Sequence, residues 1–136
     1  MQRVAKELGY TTMSLYRYVD SKEDLLLLMR EAIVVTAPPA DDWRSGVEAW
    51  FRGVVAVYRE HPWSVYIPTT GPPSGPNNLR WMEAGLRQLS ASGLHLGEAL
   101  STLLLLTSVA RDLFHAAQTP GFSRGVSRLF AHRRIR

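Results

Sequence analysis

The chain contains no cysteine. That excludes disulfides, thiolate metal sites and a cysteine nucleophile, and it fits a reducing, cytoplasmic setting. Long hydrophobic runs are also missing. The longest aliphatic run, Leu103 to Leu106, falls far short of the roughly 20 residues that cross a bilayer, so no membrane partner is expected. No basic start followed by an apolar stretch and a small-residue cleavage site opens the chain. His61, His95, His115 and His132 show no metal-ligand spacing with one another or with acids. A glycine-rich phosphate loop, a G-x-S-x-G elbow and a paired-carboxylate arrangement are all lacking. No catalytic residue, metal or cofactor is therefore assigned, and the expectation is a protein that is not an enzyme.

What is present is a chain of 136 residues with 46% apolar side chains, enough for a real core. The net charge of +4 is unevenly placed. Residues 1–36 hold five Lys/Arg and five Asp/Glu, and residues 37–119 hold six Arg and seven acids. Residues 120–136 hold five Arg and no acid, so the basic balance comes from this last stretch. It reads as a basic, disordered tail, solvated or gripping an anionic surface. A DNA-binding role for the N-terminal part must therefore rest on pattern rather than on bulk charge.

No stretch alternates apolar and polar residues as a strand does, and the chain reads as all-α. Residues 2–8 suit a short helix with Val4, Ala5 and Leu8 on one face, stopped by Gly9. Thr11 or Thr12 can cap a second helix through Leu15, Tyr16 and Val19. Ser21, with Asp24 three residues on, starts a third helix whose face is Leu25, Leu28, Met29, Ala32 and Ile33, running to about Thr36. Pro38-Pro39 marks the best domain boundary. A helix from Asp41–Asp42 carries Trp43, Val47, Trp50, Phe51, Val54, Val55 and Tyr58 at helical spacing and ends at His61-Pro62. Residues 63–70 suit one short helix, and Gly71 to Pro76 a loop. Asn77 or Asn78 opens a helix with Leu79, Met82, Leu86 and Leu89 in register, stopped by Gly93. The last long helix runs from about His95 to Ala117 with Leu96, Leu100, Leu103, Leu104, Thr107 and Phe114 as its face. The division is thus residues 1–36, a partial helix-turn-helix unit; 40–119, a helical effector-binding and dimerisation bundle; and the tail.

The functional signal lies in residues 2–25. Val4, Ala5 and Leu8 are buried by the first helix, Gly9 permits a tight turn, and Leu15 and Val19 pack the second helix back on the first. That leaves Thr12, Met13, Ser14, Tyr16, Arg17 and Tyr18 on or near the opposite face, where they can enter a major groove or touch its walls. Thr and Ser hydroxyls read base edges or phosphates, and Met13 can press on a thymine methyl. Tyr hydroxyls, Arg17 and Lys22 suit phosphates, which set register rather than sequence.

The runs Val4-Ala5, Leu8-Gly9-Tyr10, Leu15-Tyr16-Arg17-Tyr18-Val19 and Ser21-Lys22-Glu23-Asp24-Leu25 closely resemble the TetR family of bacterial repressors. Asp42-Trp43-Arg44, His61-Pro62-Trp63, Gly75-Pro76-Asn77 and Leu89-x-x-x-Gly93-Leu94 resemble that family's effector domain more loosely. The resemblance covers roughly residues 2–117. It implies a repressor that binds double-stranded DNA as a homodimer, with Thr12, Met13, Tyr16, Tyr18 and Lys22 at the DNA-contacting positions. It also implies a pocket for a small-molecule effector, of unknown identity, in the helical domain. Family members carry a further helix ahead of the segment that starts here at Gln2, and commonly one or two more after the last long helix. The expectation is a form shortened at both ends. An alternative role is a truncated interaction fragment that dimerises with full-length relatives without stable DNA binding; a third is a remnant without function.

Candidate pocket residues are Trp50, Tyr58 and Trp81, with Phe51 and Trp63 as further aromatics, though each suits a core equally well. Thr107, Arg111 and His115 are spaced by four and line up on the last helix, facing either a ligand or a solvated edge. His95, with Glu98 three residues on, reads as a cap, and His61 as a helix-end residue favoured by the helix dipole.

Overall fold

A computed structural model describes residues 1–34, 40–67 and 75–119. All regular structure among them is helical, as the sequence patterning requires: α1 (Gln2–Glu7), α2 (Thr12–Leu15), α3 (Lys22–Ile33), α4 (Trp43–Glu60), a 3-10 helix (Pro62–Tyr66), α5 (Pro76–Ala91) and α6 (Leu96–Gln118). The proposed boundary at Pro38-Pro39, the loop up to Ser74 and the basic tail lie outside the described residues, as does the expected end of the third helix near Thr36.

Local signals set most of the helix ends. Gly9 leaves α1 with a positive φ of 74°, which a residue bearing a Cβ resists. The Thr11 hydroxyl accepts from Ser14 N at 3.1 Å, and the Ser21 hydroxyl accepts from Asp24 N at 3.0 Å. Asp42 caps α4 by accepting from Arg44 N at 2.8 Å and Ser45 N at 3.1 Å. His61 N donates to Val57 O at 2.8 Å as α4 ends, and Pro62 then opens the 3-10 helix. At α6, the Glu98 carboxylate reaches back to accept from His95 N at 3.0 Å, so His95 stands at the cap.

The start of α5 follows a different rule. Its cap residue is Gly75, which has no side chain to accept a bond, and Pro76 takes the first helical position. The free N–H groups of Asn77 and Asn78 instead donate to the Glu31 carboxylate of α3, which lies 46 residues earlier in the chain. The Asn78 side-chain amide donates to the same carboxylate, and Arg30 Nε donates to Asn78 Oδ1 at 3.2 Å. These bonds clamp α3 against α5.

Helices α4, α5 and α6 pack on one another around the main core. Its centre is Trp50, 1% exposed, stacked on Trp81 with ring centroids 4.1 Å apart. The Trp50 indole N–H donates to Trp81 O at 2.9 Å, which satisfies its one polar group. Gly46, Trp50, Val54 and Tyr58, each four apart, form the buried stripe of α4. A second, much smaller cluster holds Ala5, Leu15 and Val19 under α1 and α2.

Five expectations about the helices need correction. On α1 only Ala5 is buried, while Val4 and Leu8 are exposed. The second helix stops at Leu15 rather than reaching Val19, because Tyr18 N and Val19 N both turn back to Leu15 O. On α3 no residue is buried, and Leu28 and Met29 are exposed. The clamp through Arg30 and Glu31 turns their side toward α5, and Leu28 lies about 200° round the helix from Arg30 at 100° per residue. On α6 the buried residues are Ala99, Leu103 and Ala110, whereas Leu96, Leu100 and Leu104 are exposed. The small side chains of Ala99 and Ala110 admit two neighbouring helices, and the larger leucines are turned away. Leu79 of α5 is likewise exposed while Asn78 is buried.

Candidate DNA-binding face and ligand cavity

The candidate DNA-binding face is built from α2, the turn after it and the start of α3. Leu15 and Val19 point into the small core and anchor the turn. Met13 is then 78% exposed, and Tyr16, Arg17 and Lys22 are also exposed, while Thr12 is half-buried. Tyr18 is as exposed, at 77%, while Ser14 is half-buried. Both border a hollow of about 320 Å³ that Leu8, Tyr10, Leu25 and Leu28 also line. The Ser14 and Thr11 hydroxyls lie 2.9 Å apart, which ties Ser14 to the cap of its own helix. Among the described residues the ion pairs are Glu48–Arg52 and Glu83–Arg87, so Arg17 and Lys22 have no acidic partner there.

A cavity of about 80 Å³ lies where five helices converge. The end of α3 contributes Arg30, Ile33 and Val34; α4 contributes Val54, Val57 and Tyr58; the 3-10 helix contributes Ser64. From α5 come Asn78 and Trp81, and from α6 Thr107 and Arg111. Of the five residues singled out for a pocket, Tyr58, Trp81, Thr107 and Arg111 therefore face this cavity. Trp50 does not; it is sealed in the core behind Trp81. Phe51 packs against the main core, Trp63 sits beside the His61 ring, and the exposed His115 ring meets Tyr66 edge-on at 5.3 Å.

The cavity is apolar in its walls and positive in its charge. No acidic side chain lines it among the described residues. Burial pushes the Arg30 guanidinium below its ordinary pKa, and the like charge of Arg111 acts in the same direction; Tyr58 and Glu31 act against both. The Thr107 hydroxyl, on the cavity lining, donates to Leu103 O at 2.9 Å. Arg111 Nε and Ser64 Oγ are buried with no hydrogen-bond partner among the described residues.

Sequence reasoning did not find Arg30, Ile33, Val34, Val57, Ser64 or Asn78. A signal was present for two of them. Arg30 and Ile33 share a helix face with Leu26 at spacings of four and three, so a cation interrupts an apolar line. Ser64 and Asn78 carry no such mark, since both become buried only through packing.

A model of the tetracyclin repressor-like C-terminal domain matches residues 35–126. The HTH-type transcriptional repressor DrrR1 of Streptomyces coeruleorubidus is 40% identical over 111 residues, covering 78% of this chain and 41% of that protein. An HTH-type transcriptional regulator of Saccharopolyspora erythraea is 29% identical over 105 residues, covering 74% of this chain and 44% of that protein. The chain thus spans under half the length of the curated relatives it matches. A crystal structure from Streptomyces coelicolor A3(2) superposes with a TM-score of 0.67 over 82% of this chain and 60% of that one, at 24% identity, and shares the fold. With the repressor-like domain matched over more than half its length, the chain belongs to the TetR family of regulators.

Proposed function

We propose that the protein is a ligand-responsive transcriptional repressor that binds double-stranded DNA as a homodimer. The observation that carries this is the exposed face of α2. Met13, Tyr16, Arg17 and Lys22 stand out from a turn whose own apolar residues, Leu15 and Val19, are buried beneath it. Side chains so placed suit a major groove, with Tyr16, Arg17 and Lys22 on phosphates and Met13 and Thr12 on bases. The helix α3 supports the ligand-responsive part. It begins at Lys22 beside this face and ends at Ile33 on the cavity, so a molecule bound there acts on one end of the rod that carries the other.

The dimer reading rests on α6. Leu105, Val109 and Leu113, four apart, form a stripe on its outer side, with Leu105 62% and Leu113 59% exposed. A contiguous apolar stripe of this kind is a site for a partner surface, here the same stripe of a second copy.

The test is a gel-shift series with the full chain on DNA selected from a random pool, repeated across salt concentrations. Tyr16→Ala and Lys22→Ala are expected to weaken binding to all sequences, with Lys22→Ala reducing the salt slope by about 0.9. Met13→Ala and Thr12→Ala are expected to change the preferred sequence by roughly 1–3 kcal/mol at one position. The absence of any sequence-selective shift by the intact chain refutes the proposal.

A further inference from the structure

We infer that the cavity between α3 and α6 takes a small organic anion, a carboxylate on an apolar body, whose charge is held by Arg30 and Arg111. This rests on the reading of that cavity as the effector site, and adds the chemistry of what fills it. Two guanidinium groups line one apolar cavity with no acid facing them among the described residues. Each has a partial role in the protein already, but an incomplete one. Arg30 uses its Nε on Asn78, and Arg111 leaves its Nε buried and unpartnered. Ser64, 6% exposed, also lines the cavity with its hydroxyl oxygen buried and unpartnered. A buried donor left unmade is costly, and one carboxylate answers both, since its two oxygens can accept from a guanidinium and a hydroxyl together. It would also offset the repulsion between the two cations.

The rest of the lining selects the body of the ligand. Ile33, Val34, Val54, Val57 and the Trp81 ring offer no charged group and suit an aliphatic or aromatic portion. The volume of about 80 Å³ is well below that of common drug-sized pockets, roughly 300 Å³ and up. It admits the carboxylate and a short chain.

The experiment titrates the full chain with straight-chain carboxylates from propionate to octanoate and with benzoate, each beside its matching primary alcohol. Tryptophan fluorescence reads occupancy, because Trp81 forms one wall, and the thermal midpoint reads stabilisation. Each acid is expected to bind about tenfold or more tightly than its alcohol. Affinity is expected to rise about fourfold per methylene until the cavity is full. Arg111→Gln and Arg30→Gln should each lower acid affinity roughly tenfold or more and leave alcohol affinity nearly unchanged. Arg80→Gln, on the exposed side of α5, should change neither. Should an arginine variant fail to fold, Ser64→Ala keeps both cations and should still weaken the acids selectively. Alcohols that bind as well as acids, or acids indifferent to both arginine variants, overturn the anion inference and leave the effector reading intact. No saturable response in either series overturns both. DNA binding is measured separately and stands or falls by its own test.

Discussion

Adding a single methyl group at Gly85 tests the packing that holds the cavity wall in place. A Cβ built there lies 2.4 Å from Leu103 Cδ1 and 2.8 Å from both Cε2 and Nε1 of Trp50. Ordinary carbon contacts need about 3.5–4.0 Å, so neighbours must move by about 1 Å. The Leu103 tip has some freedom, but Trp50 has little. It is fully buried, stacked on Trp81 and hydrogen-bonded to Trp81 O. Overpacking of this kind costs about 1–3 kcal/mol. Alanine gains about 1 kcal/mol over glycine in a helix interior. Gly85→Ala is therefore expected to lose a net 0 to about 2 kcal/mol. Gly53, inside α4, is the control, since a Cβ there meets nothing within 4 Å. Gly53→Ala should keep the whole helix gain of about 1 kcal/mol, raising the thermal midpoint by roughly 3–5 °C for a chain of this size. Urea melts of the two variants should thus move in opposite directions, or leave Gly85→Ala near zero while Gly53→Ala rises. If Gly85→Ala stabilises the protein as much as Gly53→Ala, the close approach of α5 to Trp50 is wrong, and with it the account of how Trp81 is held at the cavity.

The clamp between α3 and α5 predicts a pH dependence. Burial pushes the Glu31 pKa up, but the N–H groups of Asn77 and Asn78 and the Asn78 amide outweigh it and hold the carboxyl below its ordinary value. A lowered folded-state pKa adds stability that is full above the unfolded value, about 4.3, and is lost as pH falls through the folded value. Wild type should melt above Glu31→Gln at pH 7, and the gap should close under acid; a gap independent of pH would contradict the clamp. In the proposed dimer, Val109→Glu puts a charge into the α6 stripe between Leu105 and Leu113. Light scattering should show a monomer for this variant with the helical signal in circular dichroism retained, and an unchanged dimer would move the interface elsewhere.

Much of the helical architecture was legible residue by residue. The caps at Thr11, Ser21 and Asp42, the stops at Gly9 and Gly93 and the break at His61-Pro62 are local events, each settled within a few residues by hydrogen bonding or backbone sterics. The all-α class and the family resemblance followed from the same short-range patterns. The faces were less legible. Leu103 to Leu106 offers an apolar residue on almost every side of α6, so periodicity cannot choose among them. The choice of Leu103 over Leu104 comes from Ala99 and Ala110, whose small size lets α4 and α5 approach along that line.

The cavity was visible only in part. Tyr58, Trp81, Thr107 and Arg111 could be picked out as aromatic or polar residues on apolar helix faces. Ser64 and Asn78 could not, because what defines them is burial against distant segments. The same holds for the start of α5, where the cap is supplied by Glu31 from another helix. The sequence by itself determined where most helices begin and end, and that a tight turn presents Met13 and Tyr16 outward, since those depend on contacts a few residues apart. Tertiary structure decided which faces are buried, which polar groups meet at the cavity and how α3 is tied to the body. These depend on residues 30 to 80 positions apart, whose pairing no local preference encodes.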